Sequence, residues 1–411
     1  MLGRKLAEQE ADRSKLIRSM KNIVYSVGSV ALVLFSVMNV RAQAEVEILR
    51  VPHGGIQPRM EIGPSGTIHL IFFRGNAMGG NVFYSKRDPN ARNWSKPIRV
   101  NHLPDSAVAA GTIRGPQMAL GRNERVHVAW MGSGKVATPG KKAGEHPKHP
   151  MLYTRLTDEG NAFEPERDLL TWTAGLDGGG TVAADNQGHV YVAWHGRPED
   201  SSTSEFGRVV YVTHSDDDGS SFKRETQANP RDTGACGCCG MRGFTDSMGR
   251  LHLLYRMANE AYRDMGLLVS EDRGQGFSLR KVSEWPIQAC PMSSASFGEG
   301  NSGVLVATET EGRVEARIVL RQSNELAMIP GILGDHRKGK HPSISTNREG
   351  SSIFAWSEDA GWKKGGKLRW QAFDIKGELV AESDDDVTPS IPEWSFAATA
   401  TKPDGNFLLI Y

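Results

Sequence analysis

The sequence predicts an all-β fold. The expected architecture is a β-propeller of six or seven blades, seven being favoured by the repeat count, with the last blade closed by both termini. Three observations carry this expectation. A pattern of several short strands recurs along the chain. Its openings fall near Pro58, Pro116, Gly179, Cys239, Cys290, Pro342 and Trp394, at spacings of 51 to 63 residues. Helical periodicity is nearly absent, and strand runs bounded by Gly, Asn and Asp turns dominate. Multi-stranded repeats of this length indicate propeller blades.

Each repeat follows one order. A small or Pro-containing turn opens a short strand. A Gly turn, an apolar strand ending near an aromatic, a polar loop, a second apolar strand and an acidic Gly turn follow. In the second repeat these are Pro116, the turn Gly121-Arg122-Asn123-Glu124, the strands Val126-His127-Val128-Ala129-Trp130 and Met151-Leu152-Tyr153-Thr154, and the turn Asp158-Glu159-Gly160. The third repeat supplies His189-Val190-Tyr191-Val192-Ala193-Trp194 and Val209-Val210-Tyr211-Val212. The fourth supplies Leu251-His252-Leu253-Leu254-Tyr255 and Gly266-Leu267-Leu268-Val269. The last repeat, 395–411, holds only two strands, and residues 44–51 offer another. Joining the termini in one blade closes the ring and hides its edges. A six-bladed ring requires one opening to be misread, and two stacked sandwiches fit an even period less well.

Composition bounds the function. The chain has 411 residues, with 49 Lys plus Arg against 48 Asp plus Glu. That balance argues against nucleic acid as a partner, which needs a basic face or stripe. At the N-terminus, Lys21 precedes an apolar run over 23–40, and Arg41 precedes Ala42-Gln43-Ala44, an A-x-A cleavage pattern. Residues 1–44 read as a secretory signal, with Met20 as an alternative start, and 45–411 as one domain. An uncleaved anchor is the alternative and would be the chain's one membrane attachment. The expected location is secreted or periplasmic, where thiols pair or bind metal.

Ser215-Asp216-Asp217-Asp218-Gly219-Ser220-Ser221-Phe222 and Ser270-Glu271-Asp272-Arg273-Gly274-Gln275-Gly276-Phe277 occupy the same point of successive repeats. They resemble the Asp-box (BNR repeat) of the sialidase superfamily, with Ser215, Asp217, Gly219 and Phe222, then Ser270, Asp272, Gly274 and Phe277, at the pattern positions. Thr157-Asp158-Glu159-Gly160 with Phe163 is a partial third copy. The resemblance implies a structural role, in which Ser and Asp close a tight turn on backbone N–H groups. Over nearly the whole mature chain, Thr112-Ile113-Arg114-Gly115-Pro116-Gln117, Gly175-Leu176-Asp177-Gly178-Gly179-Gly180, Gly234-Ala235-Cys236-Gly237-Cys238-Cys239-Gly240-Met241, Ala289-Cys290-Pro291-Met292 and Lys340-His341-Pro342 look like a group of secreted bacterial sialidase-like proteins.

Blade topology sorts these residues by face. The entry into each inner strand and the loop between second and third strands share one rim, and the Asp-box turns lie on the other. Arg114, Asp177, all four cysteines and His341 therefore converge on one channel mouth, joined by loops 75–80, 132–150, 196–206, 257–263 and 358–367. Propeller sites form where such loops meet.

Three readings of the cysteines stay open. Cys236, Cys238, Cys239 and Cys290 can form two disulfides in a secreted chain. With His341 they can hold copper or zinc, because thiolates favour soft ions. A redox-active pair, Cys238 with Cys239, is the third. Met118, Met241 and Met292 stand in one repeat frame and read as inner-strand core.

The sialidase resemblance also implies chemistry. Sialidases bind the sugar carboxylate with three arginines and use a Tyr nucleophile assisted by Glu, with Asp as acid/base, around an oxocarbenium-like transition state. The candidates are Arg114, Tyr255, Arg256, Glu260, Arg263 and Asp264. Their plain alternatives are a packed aromatic for Tyr255 and a surface pair for Arg263 and Asp264. His195, Arg197, Trp362 and the basic loop from Lys141-Lys142 to His149 face the same mouth and suit a glycan or small acidic ligand. Three functions remain: glycan binding or exo-glycosidase-like cleavage, a soft-metal or redox cysteine site, and a protein-interaction scaffold.

Overall fold

The computed structural model describes residues 44–134, 149–198, 207–329, 338–384 and 387–411. The signal-like segment before Ala44, the basic stretch 141–148 and most of loop 196–206 lie outside them. Residues Ala44–Tyr411 form one compact unit.

The described strands make seven sheets arranged as blades. Blade 1 runs Ile56–Ile62, Ile68–Asn76, Gly79–Arg87 and Ile98–Arg99 from the axis outward. Blade 2 holds Gln117–Leu120, Val126–Met131, Met151–Arg155 and Arg167–Asp168. Blade 3 holds Thr181–Ala184, Val190–Pro198, Val209–Ser215 and Thr226–Gln227, and blade 4 Arg242–Thr245, Leu251–Arg256, Met265–Ser270 and Ser278–Ser283. Blade 5 is Ala295–Gly300, Gly303–Thr310, Arg313–Leu320 and Leu326–Met328, and blade 6 is Gly339–Thr346, Ser352–Glu358, Gly366–Phe373 and Leu379–Glu382. Two short strands extend this plan: Thr173–Ala174 pairs with the far end of Val190–Pro198, and Ser390–Ile391 pairs with the start of Gly366–Phe373.

Blade 7 closes the ring. Ala398–Thr401 and Phe407–Ile410 come from the C-terminal end, and Val46–Leu49 adds in parallel to Phe407–Ile410. Seven inner strands touch in sequence around the axis, the last returning to the first. The seven-blade count and the shared closure are as the repeat spacing predicts.

The packing explains why these strands are apolar on both faces. Each middle strand is sandwiched between two neighbouring blades, so a short continuous apolar run is the expected sequence. Apolar clusters sit in every interblade gap. One joins Met131 and Tyr153 of blade 2 to Val192 and Trp194 of blade 3, and another joins Leu70 of blade 1 to Leu408 of blade 7. Met118 and Met241 are buried in two of these gaps, as core.

The Ser-x-Asp-x-Gly turns lie at the end of the ring opposite the cysteines, beside the turns that leave the inner strands: Asp218 N–H donates to Gly188 O at 2.9 Å. Ser215 Oγ donates to Asp217 Oδ1 at 2.7 Å and accepts from Gly219 N–H at 2.9 Å, while Ser221 N–H donates to Asp217 Oδ1 at 2.8 Å. Ser270, Asp272, Gly274 and Gly276 repeat this pattern. Gly219 has φ +77°, and a Cβ there would lie 1.8 Å from the Tyr153 hydroxyl, so glycine is required. Phe222 packs edge-on against Tyr153 at 4.7 Å.

Burial pushes Asp217 up, but bonds from Ser221 and Ser215 outweigh it and hold the carboxyl down at about 2. Its contribution to stability is therefore present above the free-aspartate value of 3.8 and is lost as pH falls toward 2. The melting temperature of the wild type will fall more steeply between those values than that of Asp217→Asn, in a pH series of thermal melts.

Candidate metal centre at the channel mouth

The segment 234–240 is folded as a tight coil over the entry to blade 4. Cys236 N–H donates to Arg256 O at 2.8 Å, Cys239 N–H to Cys236 O at 3.2 Å and Gly240 N–H to Ser293 O at 2.9 Å. His195 Nε2–H donates to Cys239 O at 2.9 Å. Two glycines allow close approach. A Cβ on Gly237 would lie 3.0 Å from the Arg208 guanidinium, and one on Gly178 would lie 2.3 Å from Gly237 O. The coil is thus pinned from blades 3, 4 and 5.

This pinning brings the sulfurs together. The Sγ atoms of Cys236, Cys238 and Cys290 all lie within 4.8 Å of one another. Cys236 and Cys238 are 3.3 Å apart, a hydrogen-bonding rather than a disulfide separation. Cys236, Cys238 and Cys239 are buried, whereas Cys290 is exposed, so the trio opens to solvent on one side. Met292 packs against the thiols. Unlike Met118 and Met241, it belongs to the cysteine site rather than to the interblade core.

Cys239 lies behind the trio, and Ser293 Oγ donates to its Sγ at 3.6 Å. Burial pushes the Cys239 thiol up, but hydrogen bonds from Cys236 and Cys238 and the nearby Arg256 charge offset this and hold it well below the usual thiol range. Cys236 is pushed up by its bonds to Cys238, Cys239 and Cys290.

His341 shares the mouth but is committed elsewhere. Thr112 Oγ1 donates to Gly111 O at 2.5 Å, so it accepts from His341 Nε2–H at 3.1 Å, and His341 Nδ1 then accepts from Ser294 Oγ at 3.0 Å. Burial and the neighbouring Lys340 and Arg59 charges push the imidazole down to about 3. Both ring nitrogens are in use, and His341 is not part of the sulfur trio.

The six candidate hydrolytic residues do not meet around an open cavity. Tyr255 is fully buried, shares a 3.0 Å hydrogen bond with Thr233 Oγ1, and is pushed up to about 12 by burial. Arg256 is 1% exposed. It donates to Ser293 Oγ at 3.0 Å, to Arg263 O at 3.0 Å and to Glu309 O. Arg263 donates to Tyr262 O at 2.9 Å and to Asn259 O. Asp264 accepts from Trp285 N–H at 2.8 Å and pairs with Lys281 at 3.0 Å. Both are buried rather than on the surface. Glu260 is exposed on the turn between them and Tyr255. Arg114 is tied to Asp177, donating to Oδ1 at 2.8 Å and to the backbone O at 2.6 Å.

Ser293, Arg208 and Glu309 were absent from the sequence expectations, and Lys340 entered them only as the neighbour of His341. Lys340 and Glu309 pair at 2.8 Å beside Cys290, with Glu309 fully buried. Only the position of Ser293 just after Cys290-Pro291-Met292 signalled it. Beside Cys290, a cavity of about 180 Å³ is walled by Met292, Lys340, His341, Trp362 and Trp394. Trp362 is 59% exposed and stands edge-on to Trp394 at 4.7 Å.

No protein-family model matches the chain, and no curated protein matches it. Among solved structures, the α-L-arabinanase of Penicillium chrysogenum complexed with arabinobiose aligns over 82% of this chain and 99% of its own. The identity is 12% and the TM-score 0.52. The NanB sialidase of Streptococcus pneumoniae aligns over 89% of this chain and 67% of its own, at 14% identity and TM-score 0.42. A protein of unknown function from Dyadobacter fermentans aligns over 81% and 98%, at 14% and 0.49. At such identity the arabinanase likeness shows the propeller fold.

Proposed function

We propose that this protein is an exported, sialidase-like β-propeller whose mouth binds a soft metal ion, Cu(I) in the first place, through Cys236, Cys238 and Cys290. The carrying observation is the convergence of three sulfurs, from the entry loops of two neighbouring blades, within 4.8 Å. Three thiolates around an ion with ~2.3 Å metal–sulfur bonds sit ~3.8–4.0 Å apart; the trio lies within 4.8 Å, and its Cys236–Cys238 pair, at 3.3 Å, opens by about half an ångström to take the ion. Zinc favours four protein ligands in structural sites; His341 is occupied and the Cys239 sulfur is held by Ser293 outside the trio, so a three-sulfur set with a thioether alongside suits Cu(I) better. The export signal over 1–44 and the identification of the two Ser-Asp-Gly turns as Asp-boxes belong to this reading. They rest on the A-x-A pattern and on the turn hydrogen bonds.

Metal analysis of the protein, purified anaerobically and loaded with Cu(I) or zinc, tests it. The expected result is one ion per chain with copper preferred in competition. Two disulfides and no metal would overturn it.

A second reading has its own observation. The exposed Trp362, set against Trp394 beside a cavity, is an aromatic platform on which a sugar ring can stack, and the arabinanase sharing this fold was solved with arabinobiose. Calorimetry with arabino-oligosaccharides and sialic acid tests it. Binding that weakens about tenfold in Trp362→Ala supports it, and no heat with any sugar rejects it. Arg114 is occupied by Asp177, so the same preparation will show no turnover of a fluorogenic sialoside. Turnover that disappears in Arg114→Ala would return the hydrolase assignment.

A further inference from the structure

Below the mouth, the seven inner strands enclose an axial cavity of about 440 Å³. Its charged walls are unbalanced. Arg59 and Arg242 both line it, as do Glu61 and Glu299. Glu299 is spent on Arg321 at 2.8 Å and on Ser247. Glu61 accepts a hydrogen bond from Leu120 N–H at 3.0 Å and forms no ion pair with either arginine. Burial holds its carboxyl up at about 7, against the downward pull of the Leu120 N–H and the Arg242 charge.

Arg242 is partly satisfied, donating to Ala295 O at 3.1 Å and to Gln117 Oε1. Arg59 is not. Its guanidinium carbon lies 4.1 Å from the Phe396 ring centroid, and its Nε is buried with no acceptor. Ser296 Oγ, on the same wall, is buried with no partner. Burial and the Arg242 charge both press Arg59 toward losing its proton. Arginine does not deprotonate in proteins, and although the Arg59 side chain is only half-buried on the cavity wall, its buried Nε lacks an acceptor and its charge lacks a carboxylate.

We propose that the axial cavity is a binding site for a small oxyanion, such as sulfate, phosphate or a carboxylate, held between Arg59 and Arg242 with the Ser296 hydroxyl as a further donor. Guanidinium groups match such anions through paired hydrogen bonds. The site is separate from the sulfur trio and does not depend on metal. The anion neutralises the two guanidinium groups and fills the orphaned donors, so it also ties blades 1, 4 and 5 together at the axis.

The test is a thermal-melt titration of the full chain with sodium sulfate and sodium phosphate, against chloride at matched ionic strength. The expected result is a saturable rise in the wild type, and one labelled sulfate per chain by equilibrium dialysis. In Arg59→Met the saturable rise is gone. In chloride alone Arg59→Met melts higher than the wild type, because a half-buried charge with no carboxylate partner and an orphaned donor have been removed. A shallow, non-saturating rise shared by both proteins is general salting-out and overturns the proposal. If Arg59→Met does not fold, dialysis on the wild type and on Ser296→Ala decides. The expected outcome is then stoichiometric sulfate weakened in Ser296→Ala, and no retained sulfate contradicts it. Copper stoichiometry is unchanged in each variant, which keeps this outcome distinct from that of the sulfur site.

Discussion

Cys236→Ser will reduce copper affinity by more than the about 10- to 100-fold that changes outside the ligand shell cost. Cys236 touches Cys238 at 3.3 Å and completes the trio with Cys290. Its removal leaves two sulfurs from separate loops, and a hydroxyl is a hard ligand that does not replace a thiolate on Cu(I). Cys290→Ser will show the same loss with less effect on the metal-free fold, because Cys290 is exposed while Cys236 is buried. Competition against a Cu(I) chelator of known affinity measures both. Arg256→Met separates ligation from positioning. It leaves every sulfur in place but removes the Ser293 bond and the charge beside Cys239. The expected signature is a copper site that still fills, with lower affinity. Unchanged affinity in Cys236→Ser would show that the trio is not the ligand set.

Removing residues 44–51 will open the ring. Val46–Leu49 supplies the outer strand of blade 7, with Phe407 N–H donating to Glu45 O at 2.8 Å and Tyr411 N–H to Leu49 O at 3.0 Å. Leu49 and Val46 pack into the two interblade gaps that flank this blade. Full burial of each such side chain is worth about 1.5–3 kcal/mol, an upper figure here because both are half-buried. With the ladder bonds added, a loss of about 3–5 kcal/mol is a large share of a net stability of about 5–15 kcal/mol. The truncated chain will melt about 4–7 °C lower, since a domain of this size shifts by only about 1.3 °C per kcal/mol. It will also aggregate, because Phe407–Ile410 becomes an open edge. A synthetic peptide of residues 44–51 added in trans should restore part of the loss, as strand addition to an exposed edge does. A truncated chain with wild-type melting would show that closure through the N-terminal strand is dispensable.

The ring was legible because its signal is periodic. Trp130, Trp194 and Tyr255 recur in frame, and each fills an interblade gap. Topology alone also placed the cysteines, Arg114 and His341 on one rim, since consecutive inner-strand entries must lie on the same end. The use made of each side chain was not legible. Tyr255, Arg256, Arg263 and Asp264 look like a catalytic set on paper because their residue types are right. Three-dimensional packing turns each of them inward onto backbone carbonyls, a backbone amide and two hydroxyls. His341 has the right residue type and position for a ligand, but two hydroxyls from separate loops claim its ring. Arg59 and Arg242 went unnoticed because each sits in a different repeat. Charged residues within inner strands, where the register turns them toward the axis, were the available signal.

Cys236, Cys238 and Cys290 are proposed to form a sulfur site for a soft ion. X-ray absorption at the copper edge, on anaerobically loaded protein, tests it most directly. The expected spectrum is that of one copper per chain with a shell of three sulfurs at about 2.2–2.3 Å, close to the metal–thiolate length known for zinc. A shell of nitrogen or oxygen, or a protein that takes up no copper and carries Cys290 in a disulfide, would contradict it.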